Sequence, residues 1–294
     1  MKHANKKIQI YPILIWTIMF LWVFVFLVVI GWAVNTSLKD IMNFYNDPIG
    51  LPKKAYGGWK FENYEKAYNA IKINKNGRWL GIPELLSNTM LFVLGNATLS
   101  MITACVASYI LAKYSHIGWV GILWILVLIT KYMPITSSTA GNIVFLHKLG
   151  LYDSMIGNWL VNCGAFGTTF LIYYATWKTI SWTYAEAAMI EGAGHFKIMI
   201  TIMFPLTVTI FGVLFLQKFI ELWNNYMTPV VYLPSYPTLS YAAYQFQFKA
   251  DSPEVAVTPI QLAGLLTVAM PVFILFLIFR NKLMGSLTIG GLKG

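Results

Sequence analysis

Residues 186–205 read EAAMIEGAGHFKIMITIMFP, and this stretch decides how the rest of the chain is interpreted. It places a glutamate and two alanines before a Gly-Ala-Gly sequence, and it brings a proline to the start of a long apolar run. Glycine readily adopts the positive φ that ends a helix, and proline is tolerated in a first helical turn. The stretch therefore predicts a short helix, a tight turn and a second helix, presented between two apolar segments.

The composition around this stretch is that of a membrane protein. Hydrophobic residues make up 57% of the 294 residues and charged residues only 11%. Soluble domains average roughly 45 to 50% apolar and about 25% charged residues. So few charges could not cover a water-exposed surface, and we therefore expect lipid to surround most of the chain.

The formal charge of +10 does not indicate a nucleic-acid partner. The basic residues lie in tails and loops between apolar runs rather than along one face, which favours contact with anionic lipid head groups. Cys105 and Cys163 both belong to apolar runs, so neither a disulfide framework nor a metal site is expected. The apolar run after Lys7 is too long for a cleaved signal peptide and predicts a first membrane span.

Uncharged runs predict the membrane spans, because crossing about 30 Å of hydrocarbon takes roughly 20 helical residues. The windows are residues 8–38, 85–112, 114–130, 154–177, 198–217 and 255–279. The sequence lacks the alternation typical of a barrel, so the fold class is all-α, a polytopic membrane protein with six transmembrane helices. Because Pro229, Pro234 and Pro237 interrupt the uncharged residues after Glu221, we place the fifth helix at about 202–232 and a loop at about 233–259.

The side chains of residues 182–200 suit contact with another protein. Those assigned to the contact are Tyr184, Glu186, Ala187, Ala188, Glu191, Gly192, Ala193 and Gly194. Tyr184, Ala187 and Ala188 are spaced i, i+3 and i+4, so they share a helical face where small side chains permit close approach. Gly192 and Gly194 are both able to take the positive φ of the turn, and His195 is interpreted as a polar surface residue. A plain connector between two spans is the alternative.

The spacing resembles the coupling loop (EAA loop) of bacterial ABC-importer permeases, in which Glu-Ala-Ala, three residues, Gly and nine residues precede Ile-x-Leu-Pro. Residues 186–188, Gly192, Ile202 and Pro205 fall on this pattern, with Phe204 in place of the leucine. Four further stretches resemble permeases of the maltose and oligosaccharide type. They are SNTM (87–90), LGLYDS (149–154), LWNNYMTPVVYL (222–233) and the terminal LTIGGLKG (287–294).

This resemblance implies a type I ABC importer permease fold and a division of the chain into three parts. Residues 1–83 would form the N-terminal tail, the first transmembrane helix and an extracytoplasmic loop. Residues 84–285 would form the importer core of five helices, with the coupling loop at about 182–200, and residues 286–294 a cytoplasmic tail. Gly290, Gly291 and Lys293 of this tail would also reach the ATPase subunits.

The resemblance also implies the partners and the cellular location. It indicates a heterodimer with a second permease, two ATPase subunits that bind ATP and Mg, an extracytoplasmic solute-binding protein, and carbohydrate as the substrate. The location would be the bacterial cell membrane with both termini cytoplasmic. Lys and Arg are nearly balanced between the two sides of the membrane, so the coupling loop alone determines this orientation.

Lys218 and Glu221 are the only ionisable residues well inside a predicted span. They are spaced i, i+3 and can pair on one helical face, and ionisable groups in lipid usually face a bundle interior or a water-filled path. One interpretation is that they line the translocation path, where an aromatic ring and amides would bind a sugar. The other is a structural pair that locks helices together. The neighbours included in the first interpretation are Trp223, Asn224, Asn225 and Tyr226.

The sequence offers no catalytic constellation. It contains no Walker-type glycine-rich loop, and no carboxylate pair or serine–histidine arrangement lies within a span. We therefore expect a non-enzymatic subunit without a cofactor of its own. An ABC permease for another small solute is the main alternative, and a secondary transporter with mid-membrane carboxylates is the other.

Overall fold

The computed structural model describes residues 10–132, 139–164, 166–248 and 253–287. These residues are mostly helical, with one two-stranded antiparallel hairpin in which Ile73 pairs with Leu80. The elements are α1 (Ile10–Ser37), α2 (Ile41–Asn46), a 3₁₀ turn (Lys54–Tyr56), α3 (Glu62–Ala70), β1 (Ile73–Lys75), β2 (Arg78–Leu80), α4 (Ile82–Lys113), α5 (Gly118–Tyr132), α6 (Thr139–Lys148), α7 (Met155–Asn162), α8 (Thr168–Thr179), α9 (Thr183–Ile190), α10 (His195–Ile198), a π-helical turn (Met199–Met203), α11 (Phe204–Asn224), α12 (Met227–Tyr232), α13 (Leu239–Phe248) and α14 (Thr258–Leu287).

Four helices in the described ranges are long and apolar enough to cross a membrane. They are Pro12–Ser37, Ile82–Lys113, His195–Asn224 and Thr258–Phe279, and they correspond to the first, second, fifth and sixth predicted spans. The third predicted span is a shorter apolar helix, Gly118–Ile129. The sequence prediction of a helical membrane protein is therefore confirmed at this coarser level.

Two predicted helices have different limits in the structure. The window 154–177 is not one helix, because α7 ends at Asn162 and α8 begins at Thr168; Gly164 and Gly167 lie between them, and glycine loses more entropy than any other residue when a helix forms. The fifth helix ends at Asn224 rather than near 232. Asn225 is extended, and its Oδ1 accepts a hydrogen bond from the backbone N–H of Thr228, which starts α12 as a separate helix.

The chain forms two compact units, residues 1–71 with 245–268 and residues 72–244 with 269–294. In the second unit α4 is the central helix, and α7, α8 and α11 pack against it. Ala97, Ala104 and Ala112 are buried along α4, and small residues allow membrane helices to approach closely. At one end of α4 the large side chains of Tyr173 and Trp177 from α8 are fully buried, and they form the core on which the candidate site rests.

At the start of α4, hydrogen bonds hold the segment that follows α12. Asn88 Nδ2 donates to Pro237 O (3.1 Å), and Thr89 Oγ1 accepts from Leu239 N (2.8 Å). From the turn at 150–154, Tyr152 OH donates to Val231 O and Asp153 Oδ1 accepts from Ser235 N. The motifs SNTM and LGLYDS therefore share one structural role, which is to hold residues 231–239 in place.

Candidate functional site

The stretch 186–205 has the predicted helix–turn–helix shape. Gly192 follows α9 with φ of +82°. Its N–H donates to Met189 O (2.9 Å), and Ala193 N–H donates to Ala188 O (3.0 Å), which is the paired bonding of a Schellman C-cap. Gly194 differs from the expectation, because it has φ of −74° and caps the start of α10 instead of taking the positive φ.

One side of this loop is anchored in the core of its own unit. Ala185 and Ile198 are fully buried in the cluster that contains Trp177. Ala188 is only 7% exposed and belongs to the same cluster. Ala188 is therefore less accessible than the sequence predicts, because it packs with Ala185 against the core while Tyr184 and Ala187 are exposed.

The other side of the loop is exposed and partly apolar. Tyr184, Glu186, Ala187 and Glu191 lie on the surface, as the sequence predicts. Ile190 is 88% exposed and Phe196 is 73% exposed, and neither is among the contact residues predicted from the sequence. We call the exposed residues Tyr184, Glu186, Ala187, Ile190, Glu191 and Phe196 the docking face. Large exposed apolar side chains at the tip of a helix–turn–helix are typical of a protein contact. The sequence positions could have indicated them, because Ile190 lies three residues after Ala187 and Phe196 lies just after the turn.

The loop is also tied to the turn between α4 and α5. Tyr114 OH and His195 Nδ1 share a hydrogen bond of 2.8 Å, and the Tyr114 ring packs edge-on against Trp182. Lys113 Nζ donates to Ile180 O. His195 is exposed, as the sequence predicts, and its hydrogen bond joins the loop to the end of α4.

The second helix of the loop continues into a membrane-length helix. From α10 the chain passes through the π-helical turn into α11, giving one helix over His195–Asn224. Pro205 is near the start of α11, as expected, and a π turn accommodates a break in the regular hydrogen-bond ladder. The second helix of the loop, which carries Phe196, is therefore continuous with α11.

The polar residues of α11 form a second group. Lys218 Nζ and Glu221 Oε1 are 2.8 Å apart, so the predicted pair is formed within one helix. Gln217, Glu221 and Asn224 are exposed on one side of α11. The stripe occupies the last two turns of α11, so it faces either the polar boundary of the membrane or a water-filled path.

The other members of the predicted path differ in accessibility. Trp223 is 3% exposed and its ring packs against Phe219, so this chain does not present it for sugar stacking. Asn225 Nδ2 donates to Thr228 Oγ1, and the Tyr226 ring stacks on Tyr244 at 4.6 Å. Gly290, Gly291 and Lys293 of the terminal motif lie outside the described residues.

Replacing Gly192 with alanine is expected to loosen the loop. A non-glycine residue in the left-handed region costs about 1–2 kcal/mol, which raises the population of the opened turn roughly 5- to 30-fold. Tryptic cleavage after the exposed Lys197 should accelerate by the same factor, since proteolysis of a rapidly opening segment follows its open population. The matched control is Gly194→Ala, because Gly194 has negative φ and no atom within 4 Å of an added Cβ. Equal cleavage rates in the two variants would contradict the assignment of the turn.

Known proteins are similar to the chain over most of its length. A diacetylchitobiose uptake system permease protein from Streptomyces coelicolor is 23% identical over 93% of this chain and 86% of its own length. A maltodextrin transport system permease protein from Bacillus subtilis is 24% identical over 81% and 82%. A solved bacterial ABC transporter involved in import of the acidic polysaccharide alginate matches with a TM-score of 0.73 and 17% identity, covering 96% of this chain and 99% of that one. No protein-family model matches.

The described residues therefore have the fold of an ABC importer and include four helices of membrane length. The sequence is similar to permease proteins of carbohydrate uptake systems. The resemblance found in the sequence motifs is thereby confirmed.

Proposed function

We propose that the chain is the transmembrane permease subunit of an ATP-driven, binding-protein-dependent importer for an oligosaccharide or a related carbohydrate. The observation that carries this function is the docking face on a core-anchored loop whose second helix continues into the membrane-length helix His195–Asn224. The substrate class is supported by the relatives named above, which are permease proteins of a diacetylchitobiose uptake system and a maltodextrin transport system.

The proposed importer contains four other proteins. A second permease pairs with this chain, two ATPase subunits bind ATP and Mg and carry out hydrolysis, and a solute-binding protein delivers the substrate from outside. One ATPase contacts the docking face together with Gly192, Ala193 and Gly194, and Gly290, Gly291 and Lys293 of the tail add to this contact. Ala188 acts from the inner side of α9, where it fixes the helix to the core.

In the proposed topology the chain has six spans in the bacterial cell membrane, with both termini cytoplasmic. The four membrane-length helices supply four spans. The third is α5, and the fourth is α8 together with α7, which is separated from it by the break at 163–167. The docking face is then cytoplasmic, where ATP is available, and α2, α3 and the β hairpin lie outside.

The mechanism follows from how the loop is attached. When the ATPases close on ATP, they displace the docking face. Ala185 and Ile198 are packed in the core, so the loop moves as a rigid unit and does not deform. The displacement reaches α11 through the continuous helix and reaches α4 through the Tyr114–His195 hydrogen bond. Tilting these two helices together changes the side of the membrane to which the substrate path opens.

We place Lys218, Glu221, Asn224, Asn225 and Tyr226 along this path, with Trp223 supporting α11 from behind. The exposed polar stripe on α11 supports the placement, because hydroxyl groups of a sugar need polar partners within the membrane. An intrahelical ion pair does not connect two helices, so the bond between Lys218 and Glu221 offers no support for the locking interpretation.

Affinity purification from membranes of the native host tests the function. We expect an ATPase and a second permease to co-purify with the tagged full-length chain. A strain lacking the chain should lose uptake of at least one sugar from a panel of radiolabelled disaccharides and oligosaccharides. Co-purification of the ATPase without any sugar defect would favour an ABC permease for another solute. Absence of the ATPase together with uptake driven by a proton gradient would instead support a secondary transporter.

A further inference from the structure

We propose that residues 48–51, which we call the interfacial loop, are immersed in the membrane interface beside the C-terminal end of α1. The loop would then be a lipid-binding element of the extramembrane segment and not a water-exposed turn. This inference depends only on α1 crossing the membrane. It does not depend on the ATPase or on the identity of the transported solute.

The interfacial loop is bonded to α1 at a known position along the helix. Trp32 Nε1 donates to Pro48 O (3.0 Å), and Asn35 Nδ2 donates to Ile49 O (3.3 Å) and Gly50 O (2.8 Å). The described part of α1 begins at Ile10, and at 1.5 Å per residue Trp32 lies about 33 Å further along. That distance exceeds the roughly 30 Å of the hydrocarbon core, so Trp32 reaches the boundary at which tryptophan is enriched. The loop lies at the same depth because it is bonded there.

The side chains of the interfacial loop are apolar and point away from the protein. Ile49 is 82% exposed and Leu51 is 67% exposed. Both continue the apolar surface of α1, whose hydrophobic window is not buried by any other part of the described chain. At the edge of a bilayer, exposed aliphatic side chains of this kind enter the boundary between head groups and acyl chains.

Three backbone carbonyl groups of the interfacial loop have hydrogen-bond partners within the protein, which suits a medium with little water. Its three successive carbonyl groups, at Pro48, Ile49 and Gly50, all accept hydrogen bonds from side chains of α1. In water a turn does not need such partners, because solvent satisfies exposed carbonyl groups. Within the membrane each unsatisfied backbone group is costly. The pattern of exposed apolar side chains above three hydrogen-bonded carbonyl groups therefore favours lipid over water.

The polar residues Asp47 and Lys53, on either side of the interfacial loop, also hold the loop rigid. Asp47 Oδ1 accepts from Gly50 N (2.8 Å), and Asp47 Oδ2 lies 2.9 Å from Lys53 Nζ. The hydrogen bond from Lys53 lowers the pKa of the Asp47 carboxyl, so the pair stays ionised at neutral pH. A Cβ on Gly50 would lie 2.3 Å from Asp47 Oδ2, so the closed turn requires glycine at that position. The exposed Lys54 follows at the polar edge, where it suits an anionic head group.

Site-directed fluorescence in nanodiscs tests the immersion. Single cysteines are introduced at Ile49 and at Leu51 in a full-length chain whose Cys105 and Cys163 are replaced by alanine, and each is labelled with an environment-sensitive fluorophore. The full-length protein, with any partners that co-purify, is placed in nanodiscs of phosphatidylethanolamine and phosphatidylglycerol. Val25→Cys on α1 is the control for a lipid contact, and Lys66→Cys on α3 is the control for a water contact.

We expect lipids with a nitroxide near the top of the acyl chain to quench labels at Ile49 and Leu51 at least threefold more than the label at Lys66. Quenching by water-soluble iodide should be correspondingly weak at Ile49 and Leu51. Strong iodide quenching at both positions would show a water-exposed loop and overturn the proposal. Protection from both quenchers would show that a protein covers the loop and would overturn it as well.

Discussion

The variant Glu186→Lys is expected to lose the ATPase subunits during purification while the chain itself still folds and inserts. Glu186 is exposed in the first turn of α9 and belongs to the docking face. Placing like charges against each other in a protein contact costs several kcal/mol, so we expect an affinity loss of roughly 30-fold or more. Within α9 the same change costs only about 0.3–1 kcal/mol through the helix dipole. Folding therefore survives a substitution that abolishes docking.

The matched control for this variant is Glu65→Lys. Glu65 is an exposed residue of α3, which belongs to the other compact unit, and its replacement makes the same change in net charge outside the docking face. The ATPase recovered per permease, measured by quantitative mass spectrometry, should fall only in Glu186→Lys. Equal recovery in both variants would show that residues 182–200 are a plain connector. Loss of the permease itself from the membrane in Glu186→Lys alone would contradict the claim that folding is spared.

The shape of the docking loop could be predicted because it depends on local chemistry. Gly192 and Pro205 impose the turn and the helix start wherever the loop is placed in the protein. The inward or outward direction of each side chain could not be predicted in the same way. The i, i+3, i+4 rule shows which residues of α9 share a face, but the position of Trp177 and its neighbours decides that Ala188 is buried.

The limits of the membrane helices were less predictable for a different reason. Absence of charge shows where lipid can surround the chain, but it does not show where a helix stops. The break between Asn162 and Thr168 and the end of α11 at Asn224 depend on glycines and on the side-chain hydrogen bonds of Asn225. Burial of Trp223 against Phe219 is a tertiary contact that sequence spacing does not reveal.

Converting Lys218 and Glu221 together to glutamine is expected to reduce sugar uptake at least tenfold and to leave the assembled complex intact. An exposed i, i+3 ion pair stabilises a helix by only about 0.2–0.5 kcal/mol. Its loss therefore cannot unfold α11 or dissociate the complex. A large transport defect would then require that the charges act on the substrate path and not on helix stability.

Two further variants separate a role in the path from a role in helix stability. Glu62→Gln with Lys66→Gln removes a comparable intrahelical pair, separated by 3.6 Å, from α3, and uptake should stay within twofold of the unmodified chain. Lys218→Glu with Glu221→Lys keeps an intrahelical pair but reverses its direction, so a path role predicts continued loss of uptake. A purely structural role predicts that this exchanged pair restores uptake. Normal uptake in the glutamine variant, measured with the sugar that depends on this chain, would remove both residues from the path.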